Sequence, residues 1–106
     1  MKKIFTYGTL LNKNMRFILL GKDVPVEDDV LKGYSKEPHT VFKIYPTIKQ
    51  MKGSSVKGIV FNVDENDLKI LDRYESDLYK KIEVNLVSGK KALVYIENTK
   101  NVEAQP

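Results

Sequence analysis

Residues 56–75, VKGIVFNVDENDLKILDRYE, change period halfway along, and that change sets the fold class. From Val56 to Val63 the chain alternates. Val56, Gly58, Val60 and Asn62 share one face, and Ile59, Phe61 and Val63 the other, as in a strand. Asp64 is a capping residue type, and Leu68 and Leu71 then recur at helical spacing. The pattern predicts a helix from Glu65 to about Glu75. At roughly 100° per residue, Glu75 points within about 20° of Leu68. The helix therefore aims a carboxylate at its apolar side.

An unpaired carboxylate is costly to bury. Desolvation raises its pKa, and so does the negative end of a helix dipole, where Glu75 sits. A carboxyl group poised nearer neutrality suits a general base. The alternative is a frayed helix end, with Glu75 turned to solvent and paired with Lys80 or Lys81. Asp72 projects about 40° to the other side of Leu68 and is the second candidate acid. Asp67 and Asp77 are expected to serve the helix start and the following turn.

Working outward, Lys2–Tyr7 reads as a strand. Asn12 is a plausible N-cap, Met15, Ile18 and Leu19 recur at helical spacing, and Gly21 is the stop. Val24–Tyr34 reads as extended, His39–Tyr45 as a strand ending at Pro46, and Ile48–Met51 as a short strand. Tyr79–Val87 and Lys91–Glu97 flank Ser88-Gly89-Lys90, a hairpin signal. Many strands with one short and one clear helix imply an α+β fold with a strongly curved or closed sheet. A single domain is expected over residues 1–97, followed by a polar tail at 98–106.

Composition narrows the chemistry. The chain has 106 residues, 42% hydrophobic and 30% charged, as expected of one globular domain. It has no cysteine, which removes disulfides, thiolate metal sites and a cysteine nucleophile together. Its net charge of +4 comes almost wholly from scattered lysines, Arg16 and Arg73 being the only arginines. Scattered lysine reads as a solvated surface rather than a nucleic-acid footprint. No apolar run approaches the roughly 20 residues of a membrane span, and Ile4–Thr6 is too short for a signal-peptide core. A cytoplasmic location is the default expectation.

His39 is the only histidine and is expected to be exposed, so a zinc site is not expected. No phosphate-binding loop, dinucleotide fingerprint or calcium-loop spacing is present. The hydroxyls of Thr9, Ser54 and Ser55 have no pattern marking an activated nucleophile. No cofactor is expected. What is left is chemistry by a lone carboxylate, or none.

One further stretch asks for explanation. Ile4, Phe5 and Thr6 run into Tyr7-Gly8-Thr9-Leu10 directly after the first strand. The glycine marks either a simple bend or a place where the backbone meets a ligand. This turn resembles the signature of the gamma-glutamylcyclotransferase-like superfamily, which includes the gamma-glutamylamine cyclotransferases. Further motifs follow in the family's order. Leu31-Lys32-Gly33-Tyr34 is similar to its second-strand glycine segment, Tyr45-Pro46 to its central Tyr-Pro, and Val56-Lys57-Gly58 to its Val-x-Gly strand. Leu71-Asp72-Arg73-Tyr74-Glu75 is similar to the Leu-Asp-x-x-Glu that carries the catalytic glutamate, with Tyr79 where a tyrosine is expected. The chain departs from the pattern at Thr47 and Ser76, where the family often has glycine, and at Lys80 and Lys81, where arginine is frequent.

The resemblance spans roughly residues 3 to 96. It implies a small mixed β-barrel with one or two packed helices and a pocket at one mouth. It also implies a γ-glutamyl small-molecule substrate, release of 5-oxoproline, and Glu75 as acid and base. Tyr7 would wall the pocket. The N–H groups of Gly8, Thr9 and Leu10 would cradle the substrate's α-carboxylate. Tyr79 and Tyr95 are candidate oxyanion donors. A non-catalytic module binding a small molecule in the same pocket is the alternative, since fold does not fix function.

Overall fold

The structure of the protein, a computed structural model, describes residues 1–41 and 45–98. Five strands form one mixed sheet in the order β2-β3-β1-β5-β4. In the chain they are β1 (Lys2–Thr6), β2 (Val26–Val41), β3 (Tyr45–Val63), β4 (Tyr79–Asn85) and β5 (Lys91–Glu97). Helix α1 (Lys13–Leu20) lies between β1 and β2, and α2 (Glu65–Glu75) between β3 and β4. Two short 3₁₀ turns, Thr9–Leu11 and Ser76–Leu78, follow β1 and α2.

β1 is the hinge of this arrangement. It pairs antiparallel with β3, from Lys2 opposite Val63 to Thr6 opposite Ile59, and parallel with β5 at Ile4 and Leu93. Its side chains alternate between two apolar clusters. Ile4 packs with Leu10, Leu20, Phe61, Val63, Leu68 and Leu71 on the helix side. Phe5 and Tyr7 pack with Leu31, Val56, Val60 and Val94 on the inner side. Both faces of β3 are therefore covered, which explains why both of its alternating sets are apolar.

The expected α+β class is what the chain adopts, with a curled sheet in place of a fully closed barrel. β2 and β4 are its edges, and the chain after β4 reaches back to β2. Val87 N–H donates to the Val30 carbonyl at 2.9 Å. The Ser88 hydroxyl donates to buried Asp29 at 2.6 Å, and the Ser88 N–H to the same carboxylate at 3.3 Å. Polar bridging thus partly covers the open edges.

Local signals placed the short elements well. Asn12 accepts from Met15 N–H at 3.1 Å, and Gly21 ends α1 in the left-handed region at φ 71°. Asp64 and Asp67 form a reciprocal capping box at the start of α2. Gly89, at φ 92°, makes the β4–β5 turn. Two expectations need correction. The segments expected around residues 24–63 are two long strands, paired as one ribbon from Val26 opposite Phe61 to Val41 opposite Tyr45. Separate segments were expected, one of them ending at Pro46. The ribbon instead absorbs the glycines at a register shift beyond Lys32, where Gly33 and Gly53 take φ of 86° and 88°. Pro46 falls in a second register shift, where β3 has no β1 residue beside it.

The face of α1 also differs. Arg16 and Leu20 are buried and Met15 and Leu19 half-buried, whereas Ile18 is 72% exposed. Residues 17 to 20 are all apolar, so periodicity alone selects no face. The side chain of His39, expected to be exposed, is not among the described parts of the structure, and the tail beyond Asn98 lies outside the described residues. No helix among the described residues is long and apolar enough to cross a membrane.

Two positions carry local backbone constraints that can be tested. A Cβ on Gly58 would collide with the Thr6 carbonyl oxygen and lie 2.8 Å from the Phe5 ring. Gly58→Ala is therefore expected to destabilise by about 1–3 kcal/mol, read as a lower urea midpoint; an unchanged midpoint would show that β1 and β3 approach less closely. Ser76, directly after Glu75, sits at φ 60° and ψ −167°, a region held almost only by glycine. Ser76→Gly is expected to stabilise by about 1 kcal/mol, raising the same midpoint.

Candidate active site

The end of β1 and the end of α2 meet at a cavity of about 260 Å³. Tyr7, Gly8, Thr9 and Leu10 form one wall, and Tyr74, Glu75 and Ser76 the opposite one; Tyr79 and Tyr95 complete it. Glu75 and the six residues that the resemblance assigns to the pocket thus line a single space, whereas Asp72, the second candidate acid, is not part of its lining. This volume is slightly below the roughly 300–1,000 Å³ of pockets for drug-sized ligands. It suits a small ligand or one end of a larger one.

Glu75 is the last residue of α2, on the stripe of buried Leu68 and Leu71. Its carboxyl group is half-buried, and no hydrogen bond or ion pair within the described residues satisfies it. Burial pushes its pKa up to about 7. Lys81, a partner considered for Glu75, instead pairs with Asp72 at 3.0 Å. Asp72 lies almost one turn earlier on the same helix and takes up that cation, leaving Glu75 without one among the described residues.

The tyrosines are locked in place. Tyr7 Oη donates to the Tyr95 carbonyl at 2.6 Å, and Thr47 hydrogen-bonds to the same phenol. Thr47 is fully buried and also accepts from Glu97 N–H at 2.8 Å, so it ties β3 to both β1 and β5. Tyr95 Oη donates to Asp72 at 2.6 Å. Burial pushes both phenols well above their ordinary pKa; the Asp72 bond adds to this at Tyr95, and the nearby charge of Glu75 adds at both. With their protons committed to these acceptors, Tyr7 and Tyr95 serve as walls in this arrangement. That differs from the donor role suggested for Tyr95, and the reason is Asp72.

The first turn is built from its own backbone. Leu11 N–H donates to the Gly8 carbonyl at 3.0 Å and Asn12 N–H to that of Thr9 at 3.2 Å. Thr9 Oγ1 and Tyr74 Oη share a 3.0 Å hydrogen bond that links this turn to α2 beside the cavity. From the ribbon, Lys36 Nζ donates to the Tyr7 carbonyl at 2.8 Å. Behind the turn, Arg16 Nη1 donates to the carbonyls of Leu10 and Leu11, both at 2.9 Å.

Arg16, Thr47 and Tyr74 were not identified as site residues from sequence. For Arg16 the available signal was an arginine at the spacing of Leu20, on the side of α1 that became buried. Thr47 and Tyr74 had no local signal, since their partners lie 40 or more positions away in the chain. Among the described residues no group of three or more His, Cys, Asp or Glu is placed to hold a metal ion. The arrangement can therefore offer one poised carboxyl group in a largely apolar hollow, facing a turn of backbone.

Comparison with known proteins supports the same fold. An Arabidopsis thaliana protein solved in solution superposes with a TM-score of 0.80 at 22% identity, covering 93% of this chain and 70% of its own. A structure described as gamma-glutamyl cyclotransferase gives 0.79 at 20% identity, with 92% and 66% covered. A Pyrococcus horikoshii protein described as uncharacterized gives 0.71 at 24% identity, with 92% and 78% covered. The chain thus spans about two thirds to four fifths of the length of these structures. No curated protein matches the sequence. These likenesses are of overall fold, and over residues 4–106 the sequence matches the family described as gamma-glutamyl cyclotransferase, AIG2-like, to which the chain belongs.

Proposed function

We propose that the protein is a cyclotransferase that releases 5-oxoproline from a γ-glutamyl compound, with Glu75 as the acid and base. The observation that carries this reading is the half-buried carboxyl group of Glu75, without a partner among the described residues and with its pKa raised by burial to about 7, in a cavity shared with the first turn. Family membership and the likeness to a structure described as gamma-glutamyl cyclotransferase support it.

In the proposed reaction the α-carboxylate lies on the N–H groups of Gly8 to Leu10, and the α-ammonium faces Glu75. Glu75 removes one proton from the ammonium. The freed nitrogen attacks the γ-carbonyl carbon, forming a C–N bond and closing a five-membered ring through a tetrahedral intermediate. That intermediate collapses by breaking the bond to the leaving nitrogen, which receives the proton from Glu75, while the ring nitrogen releases its second ammonium proton to solvent. The products are 5-oxoproline and a free amine. Attacking and attacked groups belong to one molecule, so the protein's main contribution is orientation, for which effective molarities of roughly 10⁵ M and above are known.

Ionisation of Glu75 sets the pH dependence. Its pKa is raised, so the carboxylate needed as base predominates only above about pH 7. We expect kcat/KM to rise with pH to a plateau, with an apparent pKa near 7, and to fall about tenfold per unit well below it. A water-exposed glutamate would place that limb near its ordinary value of about 4.3. Glu75→Gln is expected to fold normally and bind the substrate while losing at least 10²-fold in 5-oxoproline release. Wild-type turnover in that variant would remove Glu75 from the mechanism. Calorimetric binding of γ-glutamyl compounds by the wild type, with no 5-oxoproline formed, would mark a binding module instead.

A further inference from the structure

Arg16 is the only cationic side chain among the described residues that is buried, at 7% exposure. A guanidinium removed from water ordinarily needs an acidic partner. None of the ion pairs among the described residues includes it. Its Nη1 is satisfied by the carbonyls of Leu10 and Leu11, each at 2.9 Å. These belong to the last two residues of the 3₁₀ turn, whose carbonyls form its negative end.

The peptide planes show what this contact fixes. The Leu10 carbonyl shares its plane with Leu11 N–H, which donates to Gly8. The Leu11 carbonyl shares its plane with Asn12 N–H, which donates to Thr9. Arg16 therefore grips from outside the two peptide units that close the turn. Residues of the same turn wall the cavity, where Glu75, a negative group, is the only charged lining side chain among the described residues. A buried cation is weakly screened by water. Lys36 also contacts the turn, through the Tyr7 carbonyl, but it is exposed and its charge is screened by water.

We infer that Arg16 is a positioning residue for an anionic group of the ligand: it clamps the turn from behind and supplies a fixed positive charge on that side of it. The inference rests on the proposed function for the identity of that group, the α-carboxylate. It gives Arg16 a task separable from folding, because a purely structural clamp would not distinguish a charged ligand from its neutral isostere.

The test compares two probes by calorimetric titration at one pH and salt concentration, 5-oxoproline and its carboxamide. The wild type is expected to prefer the carboxylate at least tenfold. Arg16→Met, checked for folding by circular dichroism, is expected to bring that ratio to within threefold of one, and Arg16→Lys to retain most of it. If folded Arg16→Met keeps the wild-type ratio, the inference is overturned, however much stability the variant loses. If Arg16→Met does not fold, Arg16→Gln takes its place, since it keeps an N–H donor but no charge; the ratio must fall at least threefold, and an unchanged ratio overturns the inference. A wild type that does not distinguish the probes also overturns it. A wild type that prefers the carboxylate, with the preference lost on removing Arg16, yet releases no 5-oxoproline from γ-glutamyl compounds, supports the inference and sinks the proposed reaction instead.

Discussion

The placement of β1 between an antiparallel and a parallel neighbour is the constraint on which the rest of the molecule depends. An inner strand needs apolar residues on both faces, and Ile4 and Phe5 serve the two clusters. Once β1 is held there, the chain must leave the sheet at Tyr7, next to β5 and close to the end of α2. The cavity follows from that exit. Gly58 is part of the same constraint, because the close approach of β3 to Thr6 and Phe5 leaves no room for a side chain.

The charges around the cavity are distributed unevenly. Asp72 and Glu75 lie three residues apart on α2, yet their surroundings differ sharply. Asp72 receives Lys81 and the Tyr95 hydroxyl, whereas Glu75 faces the hollow without a partner among the described residues. Leaving a carboxylate in that condition costs folding energy at neutral pH, and Ser76 beside it adds backbone strain at φ 60°. Both costs are local and fall beside the group assigned the chemistry. Strain and unpaired charge collected at one point are typical of sites selected for reactivity rather than stability.

Much of the positioning comes from neutral hydrogen bonds over long sequence separations. Thr47 joins β3 to Tyr7 and to the backbone of Glu97, and Tyr7 in turn reaches the Tyr95 carbonyl. At Thr47 the chain uses a buried hydroxyl that fixes an aromatic wall. Arg16 does comparable work behind the first turn through two carbonyls. Neither contact depends on an exposed ion pair, whose contribution would be small and sensitive to salt.

The sequence by itself determined the elements whose energetics are local. The change of period at Asp64, the caps at Asn12 and Asp64, the stop at Gly21, the turn at Gly89 and the phase of Glu75 relative to Leu68 and Leu71 all appear in the structure where they were read. Each depends on residues a few positions apart. Only the tertiary structure decided which acid received Lys81, which face of an almost uniformly apolar α1 was buried, and that a ribbon could run through Gly33, Gly53 and Pro46. It also decided that the Tyr95 hydroxyl would be spent on Asp72. The physical reason is the same in each case: these outcomes depend on contacts between segments distant in the chain. Their geometry exists only after β1 has entered the sheet, and no spacing along the sequence encodes it.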